Sequence, residues 1–224
     1  MMSNSNKERK TPYGLYNQGM TCYLNSVLQL LFMTPHFGER LDPNKRTDQE
    51  LKTLFENLKK GSCGTESITK SFQIQDVHKQ HDVTEYLDLI LNRISQRASK
   101  IFCGMMSYST ICCQGHSINE ETKTFWTLPL PLKNQINGVF TVNGGLDRIF
   151  TTQKFTGERK VYCKDCGRNT DADYKCETKD FPQVLVLLLK RFEFDHNTSS
   201  YFKSNCAVDI PTTLSMKASP LRLP

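Results

Sequence analysis

The sequence lacks a hydrophobic run long enough to cross a membrane. Its longest apolar run covers only residues 184–189, against the ~20 residues that a membrane-spanning helix needs. Residues 1–10 are polar and charged, so we expect a disordered leader there rather than a secretory signal. Lys and Arg number 29 against 23 for Asp and Glu, and this net charge of +6 does not by itself indicate nucleic acid. We therefore expect a soluble globular protein with no membrane or nucleic-acid partner.

The nine cysteines lack the pattern of a disulfide framework. An odd number cannot pair completely within one chain, and no secretory signal precedes them. We therefore expect a reducing compartment, the cytoplasm, the nucleus or both, where cysteines are thiols or metal ligands. Four of them, Cys63, Cys103, Cys176 and Cys206, we interpret as buried or unreactive thiols.

Apolar residues recur at helical spacing in three segments of the first half of the chain. The three stripes are Leu24, Val27, Leu28, Leu31 and Phe32; Leu51, Leu54, Phe55 and Leu58; and Val83, Tyr86, Leu87, Ile90, Leu91 and Ile94. Thr34 precedes Pro35 and is expected to end the first helix, and Gly61 is expected to end the second. The first half is therefore predicted to be helical.

The second half has the composition of strands. Residues 105–112 and 125–132 are predicted to be strands, and Pro129 and Pro131 place the second at an edge or an exit of a sheet. The unbroken apolar run at 184–189 predicts a central buried strand. Asn137-Gly138 and Asn143-Gly144-Gly145 are predicted turns. The fold class is α+β, with helices first and a mostly antiparallel sheet second.

One cysteine, Cys22, stands directly before the first helical stripe. Gly14 and Gly19 indicate an irregular loop before it, so Cys22 is expected in the first turn of a helix. The free N–H groups and the dipole of that turn favour a thiolate, the form that acts as a nucleophile. The side-chain amide of Asn17 could then lie beside the thiol and stabilise an oxyanion. The alternative is a capped helix that carries a cysteine by chance.

The same segment resembles the cysteine box of the ubiquitin-specific proteases, a papain-like family of deubiquitinases. The matching residues are Gly14, Leu15, Asn17, Gly19, Thr21, Cys22, Tyr23, Asn25, Leu28 and Gln29. The resemblance implies that Cys22 is the nucleophile and that Asn17 helps form the oxyanion hole. It also implies hydrolysis of the isopeptide bond after the last glycine of ubiquitin. The implied partners are ubiquitin and ubiquitinated proteins, and we expect a monomer.

The resemblance extends along the chain and implies a fold. Residues 125–130 and 181–192 look like two palm strands of the family, so collinear motifs cover roughly residues 12–215. The implied fold is the papain-like arrangement of thumb, palm and fingers. Within a partial catalytic domain at residues 11–224, we expect a helical thumb at about 12–97 and the fingers and part of the palm at about 98–224.

A second family block lies at residues 80–86. Gln80, Asp82 and Glu85 match positions that bind substrate in the family, where the acidic pair faces the arginine-bearing tail of ubiquitin. The alternative for the two carboxylates is stabilisation of a helix N-terminus. His81 stands where the family has glutamine, and the resemblance therefore argues against a role as catalytic base.

Two cysteine-containing segments in the second half predict a metal site. Cys163 and Cys166 have the spacing of half a zinc site. The family supplies two further ligands near Cys112, but its second cysteine falls on a glycine of this sequence. His116 is the expected substitute, which gives a Cys3His site, and Cys113 is a competing ligand. We therefore expect a site that can bind a structural zinc. We expect no cofactor for catalysis.

The sequence has no recognisable catalytic histidine. The family carries its base in a late box resembling His-x-Gly-x-x-x-x-Gly-His-Tyr, and nothing after Arg191 resembles that box. His196 follows Arg191 too closely and lacks the glycines, whereas His36 and His78 match no catalytic position. We therefore expect an incomplete catalytic domain, truncated before the histidine box, with little or no turnover.

Three functions are compatible with these patterns. The first is a cysteine-type deubiquitinase with Cys22 as its nucleophile. The second is a non-catalytic protein that binds ubiquitin but has no general base. The third is a small zinc-ribbon protein that binds nucleic acid, with Cys22 incidental, and the collinear motifs argue against it.

Overall fold

The computed structural model describes residues 13–132, 138–195 and 198–214, and the chain divides into two compact units. The first unit ends at Ile101 and the second begins at Phe102. The predicted leader, Asn137 and His196 lie outside the described residues. No helix in the described ranges is both long and apolar enough to cross a bilayer.

The first unit is helical, and the three apolar stripes predict its three longest helices. The helices are α1 (Cys22–Met33), α2 (Arg46–Leu58), α3 (Glu66–Ser71), α4 (Val83–Arg93) and α5 (Gln96–Ser99), with 3-10 turns at Gly38–Arg40 and Lys100–Phe102. Helix α1 ends where Thr34 adopts an extended conformation before Pro35, as predicted. Helices α3 and α5 have only 6 and 4 residues, too few for an apolar repeat to reveal them.

Apolar side chains of α1, α2 and α4 form the core of this unit. Leu24, Leu28 and Leu31 of α1 are inaccessible to solvent, as are Leu51 of α2 and Ile90 of α4. Each such burial stabilises the fold by about 1.5–3 kcal/mol. Helix α1 packs on α4, and this packing fixes the orientation of α1 and therefore the position of its first residue.

The second unit consists mostly of antiparallel strands, as predicted. The strands are β1 (Gly104–Cys112), β2 (Ser117–Phe125), β3 (Thr127–Pro131), β4 (Val139–Thr141), β5 (Gln153–Phe155), β6 (Val161–Cys163), β7 (Arg168–Thr170), β8 (Ala172–Asp180), β9 (Val186–Lys190), β10 (Phe192–Asp195), β11 (Ser200–Lys203) and β12 (Ala207–Asp209). The largest sheet has the antiparallel order β2-β1-β8-β5. β6 pairs with β7 and β10 with β11 in antiparallel hairpins. The pairs β3–β9 and β4–β12 are parallel.

The core of this unit lies where the large sheet meets β3 and helix α6 (Val142–Phe150). The predicted strand at 105–112 is β1, and the one predicted at 125–132 contains β3. A 3-10 segment of the unit, Gly157–Arg159, precedes β6. The buried core residues are Met106, Leu128, Leu130, Leu132, Phe140, Val142, Leu146 and Cys176.

The turn predicted at Asn143, Gly144 and Gly145 is wrong, because these residues lie in α6. The Thr141 hydroxyl accepts a hydrogen bond from the Gly144 N–H at 3.2 Å and caps the helix. The Phe140 ring would lie 2.5 Å from a Cβ atom at Gly145. Glycine at this position permits close packing rather than a turn, and a sequence pattern does not distinguish the two.

The prediction of a central buried strand at residues 184–189 is also wrong. Among the described residues, β9 pairs only with β3, and its apolar side chains are half-buried. An unbroken apolar run indicates that both faces of a strand are similarly shielded, but it does not indicate how many strands flank it. In β3 the prolines Pro129 and Pro131 are exposed while Leu128 and Leu130 are buried, as predicted for an edge strand.

A buried carboxylate joins three segments of the first unit. Asp48 of α2 is inaccessible to solvent. Its Oδ2 accepts from the Asp42 N–H at 2.8 Å, and its Oδ1 accepts from the Ser95 N–H at 3.0 Å. Lys45 adds a hydrogen bond from Nζ to the Ile94 carbonyl at 3.0 Å. The first turn of α2 is thereby tied to the end of α4.

Replacement of Asp48 should therefore destabilise the chain. We expect Asp48→Ala to lower the free energy of unfolding by about 3 kcal/mol, because two buried N–H groups lose a charged acceptor. Urea unfolding followed by far-UV circular dichroism measures the change. Glu56→Ala, at an exposed position of the same helix, is the control and should stay within about 0.5 kcal/mol of the wild type. Equal midpoints for the two variants would contradict this role of Asp48.

Candidate active site and candidate metal centre

Cys22 is the first residue of α1, as the sequence predicts, and it is exposed to solvent. The loop before it is fixed by a single side-chain oxygen, Asn17 Oδ1. This oxygen accepts from the Gly19 N–H at 3.2 Å, from the Thr21 N–H at 2.9 Å and from the Thr21 hydroxyl at 2.9 Å. Because Oδ1 is engaged by the loop, the orientation of the Asn17 amide is set. None of the described residues accepts a hydrogen bond from its NH2 group, which is therefore available to a ligand.

Other polar residues of the cysteine box hold the chain segment that leads into the loop. Asn25 Nδ2 donates to the carbonyls of Leu15 and Tyr16 at 3.3 Å each, and Gln29 Nε2 donates to the Tyr13 carbonyl at 2.9 Å. Two turns of α1 thus clamp residues 13–16. These contacts explain the polar positions of the box without a direct role in chemistry.

The segment before α4 lies across the loop that carries Cys22. The Met20 N–H donates to the Val77 carbonyl at 2.8 Å. A Cβ atom at Gly19 would lie 2.8 Å from His78 Nδ1, and Gly19 has a φ of +138°, so glycine is required twice over. Gln80 then lies beside Cys22, whose thiol donates to Gln80 Oε1 at 3.5 Å. Sequence reasoning grouped Gln80 with the substrate-binding residues, and a separation of 58 residues gives no signal of this contact.

Asp82 and Glu85 lie at the start of α4, as predicted. Asp82 Oδ1 caps the helix, since it accepts from the Thr84 N–H at 2.7 Å, from the Glu85 N–H at 3.4 Å and from the Thr84 hydroxyl. The hydroxyl of Thr84 lowers the pKa of Asp82, and the two N–H groups lower it further against the opposing effect of burial. Because this pKa is lowered, the ionised cap stabilises α4 at pH values above the unfolded-state pKa of Asp82. This stabilisation is lost as the pH falls through the folded-state pKa. Asp82 Oδ2 and the Glu85 carboxylate remain on the exposed side of the helix start.

No described histidine forms a hydrogen bond with Cys22. His78 packs on the loop, and His36 contacts Glu39 at 3.2 Å on the surface. The centroid of the His81 ring lies 5.2 Å from that of Tyr23 and 5.1 Å from that of Tyr86, so His81 packs between aromatic side chains. The described residues of the first unit therefore supply an exposed thiol and a free amide donor, with no described histidine hydrogen-bonded to the thiol.

The four predicted metal ligands come together in the second unit. The ligand atoms of Cys112, His116, Cys163 and Cys166 lie within 4.8 Å of one another. His116 Nδ1 is 3.5 Å from Cys112 Sγ, 3.3 Å from Cys166 Sγ and 3.7 Å from Cys163 Sγ, and the two sulfurs of Cys112 and Cys166 are 4.0 Å apart. A tetrahedral zinc with Zn–S near ~2.3 Å and Zn–N near ~2.05 Å requires edges of about 3.8 Å and about 3.6 Å. The cluster has these dimensions.

The hairpin between β1 and β2 explains why histidine takes the fourth position. Gly115 has a φ of +87°, and its N–H bonds the Cys112 carbonyl at 2.8 Å, so a side chain at Gly115 would be strained. His116 follows and points its Nδ1 at the cluster. Cys113, the predicted competing ligand, is exposed and lies outside the cluster, with its N–H bonded to the Asp171 carbonyl at 2.9 Å.

The surroundings of Cys112 favour a thiolate. Burial raises the pKa of the Cys112 thiol, but hydrogen bonds from the N–H groups of Gln114 and His116 and contacts with Cys163 and Cys166 bring it down to about 7. The Gln114 and His116 N–H groups lie 3.4 Å and 3.3 Å from its sulfur. The donor set, its spacing and these N–H groups fit a metal, and the cluster can bind one.

A row of aromatic side chains on the large sheet was not predicted. The ring centroid of Tyr174 lies 6.4 Å from that of Tyr108, on which it stacks, and 6.1 Å from that of Phe155. Lys123 Nζ lies 5.9 Å from the centroid of the Tyr108 ring. Burial raises the pKa of both tyrosines, so both stay neutral at physiological pH. β1, β8 and β5 each contribute one aromatic residue to this row, so no pattern within a single strand reveals it.

Comparison with known proteins identifies the family of the chain. A family model described as ubiquitin carboxyl-terminal hydrolase matches residues 13–222. Ubiquitin carboxyl-terminal hydrolase 47 of Drosophila melanogaster is 30% identical over 227 residues, covering 91% of this chain and 15% of that protein. Its human counterpart of the same name is 28% identical, covering 94% of this chain and 17% of that protein. Ubiquitin carboxyl-terminal hydrolase 15 of Saccharomyces cerevisiae is 29% identical, covering 95% and 19%.

The chain spans about a sixth of the length of the first of these relatives. The residues around Cys22 and Gln80 also resemble those of the branch named ubiquitin carboxyl-terminal hydrolase 47. In fold, the chain is similar to one in the "Structure of the SAGA Ubp8/Sgf11/Sus1/Sgf73 DUB module bound to ubiquitin aldehyde", with a TM-score of 0.76 and 24% identity over 98% of this chain and 56% of that chain. The α+β fold is that of the papain-like ubiquitin-specific proteases. The chain belongs to the ubiquitin carboxyl-terminal hydrolase family.

Proposed function

We propose that this chain carries the nucleophile of a cysteine-type deubiquitinase. The observation that supports it is the placement of Cys22: an exposed thiol at the first residue of α1, behind a loop locked by Asn17. The free N–H groups at the start of a helix favour a thiolate. Membership of the family makes ubiquitin the expected partner, and the protein of similar fold is described as bound to ubiquitin aldehyde.

The proposed reaction begins with attack of the Cys22 thiolate on the carbonyl carbon of the isopeptide bond after the last glycine of ubiquitin. The carbonyl oxygen becomes an oxyanion, and the NH2 group of Asn17 donates to it. The lysine amine leaves with a proton, a thioester remains on Cys22, and water hydrolyses it. A base must remove the thiol proton and return it to the amine. The family takes this base from its histidine box, which no part of the 224 residues resembles.

We therefore expect these 224 residues to be labelled by ubiquitin without fast turnover. A ubiquitin probe with a C-terminal electrophile should attach to Cys22, as measured by intact mass and by mass spectrometry of the peptide. Cys22→Ala should abolish the adduct, and Cys63→Ala, at a second thiol of the same unit, should leave it unchanged. A wild-type chain that binds the probe but forms no adduct would contradict the proposal.

That last outcome would favour the second candidate, a non-catalytic ubiquitin-binding protein. The absence of a hydrogen bond between any described histidine and Cys22 is the observation that favours it. The two candidates share the binding surface and differ in whether the thiol reaches the carbonyl of ubiquitin. No observation in the described residues favours the nucleic-acid-binding alternative.

We propose further that Asp82 and Glu85 bind the cationic tail of ubiquitin. Asp82→Asn tests this role because asparagine keeps the N-cap but removes the charge. We expect it to weaken ubiquitin binding about threefold to fivefold, the effect of one exposed ion pair, with a smaller loss of stability than Asp82→Ala causes. Asp82→Ala should weaken binding similarly and also destabilise α4 by about 1 kcal/mol. Glu56→Gln, an exposed charge removed elsewhere, is the control; an Asp82→Asn variant that binds like it would contradict the proposal.

We propose that the cluster of Cys112, His116, Cys163 and Cys166 binds a structural zinc, which would supply the cross-link between the two hairpins and no chemistry. Protein expressed without chelator should contain one zinc per chain by elemental analysis. Cys163→Ser should lose it, whereas Cys113→Ser, an adjacent thiol outside the cluster, should keep it. A folded wild-type chain without zinc would contradict the proposal.

A further inference from the structure

The contact between Gln80 and Cys22 has a chemical consequence that its place among substrate-binding residues does not explain. The Cys22 thiol donates to Gln80 Oε1 at 3.5 Å, and both side chains are exposed. A thiol has one hydrogen to donate, and a thiolate has none. The contact as formed therefore exists only while Cys22 is neutral.

The position of Gln80 is fixed at both ends of a short segment, residues 76–82, which we call the strap. At one end the Val77 carbonyl accepts from the Met20 N–H at 2.8 Å. At the other end Asp82 caps α4, which packs on α1. Gly19 allows the approach, since a Cβ atom there would meet the Val77 carbonyl at 3.0 Å. Gln80 is thus held over Cys22 by backbone contacts on either side and not by the thiol alone.

The strap opposes the effect of the helix start. Free N–H groups at the beginning of α1 favour a thiolate, whereas an acceptor oxygen over the sulfur favours the neutral thiol and disfavours a negative charge. None of the other titratable or charged groups on the surrounding elements forms a hydrogen bond with Cys22 Sγ among the described residues. Those groups are Asp76, His78, Lys79, His81 and Asp82 on the strap, Tyr23 on α1 and Glu85 on α4.

We propose that Gln80 is a positioning residue that holds the Cys22 thiol in a neutral resting state, an inference that rests on the proposed role of Cys22 as nucleophile. Deprotonation breaks the S–H···O contact, and the proton passes to the base in a complete site or to water in these 224 residues. The carboxamide oxygen of Gln80 then faces the sulfur as a second acceptor, and this arrangement disfavours the negative charge of the thiolate.

The test measures the alkylation of Cys22 by iodoacetamide, which needs no ubiquitin. The rate at the Cys22 peptide is followed by mass spectrometry from about pH 6 to about pH 10, a range that brackets the ordinary thiol pKa. We expect Gln80→Ala to accelerate alkylation at neutral pH about threefold to tenfold, the factor that one ordinary hydrogen bond supplies. The midpoint of the pH profile should move down, and the plateau at high pH should not change.

Two further variants complete the experiment. Gln75→Ala, the same substitution at an exposed position shortly before the strap, should behave like the wild type. Gln80→Met keeps the size of the side chain without its acceptor, and it should reproduce the acceleration if Gln80→Ala fails to fold by circular dichroism. An unchanged or slower rate in the folded Gln80 variants would overturn the proposal. Failure of the ubiquitin probe to label a chain whose Gln80 variants are faster would count against the proposed function alone.

Discussion

The carboxamide oxygen of Asn17 is the acceptor on which the start of α1 depends. It accepts three hydrogen bonds from Gly19 and Thr21, and these contacts fix the loop that enters α1, a helix without a side-chain cap. The helix itself is held in place by its buried leucines, which pack toward α4. Cys22 stands between these two constraints, with its backbone in the helix and its side chain in solvent. A thiol in this position owes its exposure to the loop and its electrostatic environment to the helix.

Much of this arrangement could be predicted from the sequence, and the reasons are local. Helical stripes ending at Thr34 and beginning after Cys22 gave the position of α1, because periodicity and a proline act within a few residues. The spacing of Cys163 and Cys166 predicted half of a zinc site, and the family resemblance predicted Cys112 and His116 as the other half. In each case the structure depends on residues a few positions apart, and a sequence pattern includes those residues.

The errors and omissions concern contacts between distant parts of the chain. Gly145 was predicted in a turn because glycine is common in turns, but it is there to make room for Phe140. The apolar run at residues 184–189 was predicted to form a central strand. This was wrong because an apolar run indicates how buried a strand is and not how many strands pair with it. The contact of Gln80 with Cys22 depends on how residues 76–82 cross the loop. Spacing along a chain does not contain that information.

Residues of the family motifs have structural roles that coexist with functional ones. Asp82 uses Oδ1 to cap α4, and this use leaves Oδ2 and the negative charge available to a cationic partner. Asn17 uses its oxygen for the loop, and for that reason its NH2 group has a defined direction. Bonding one half of a polar side chain to the backbone therefore prepares the other half for a ligand, since the ligand then meets a group whose orientational entropy has already been lost. Gln80 differs from both, because among the described residues its side chain hydrogen-bonds only to the thiol, so its oxygen acts on Cys22 directly.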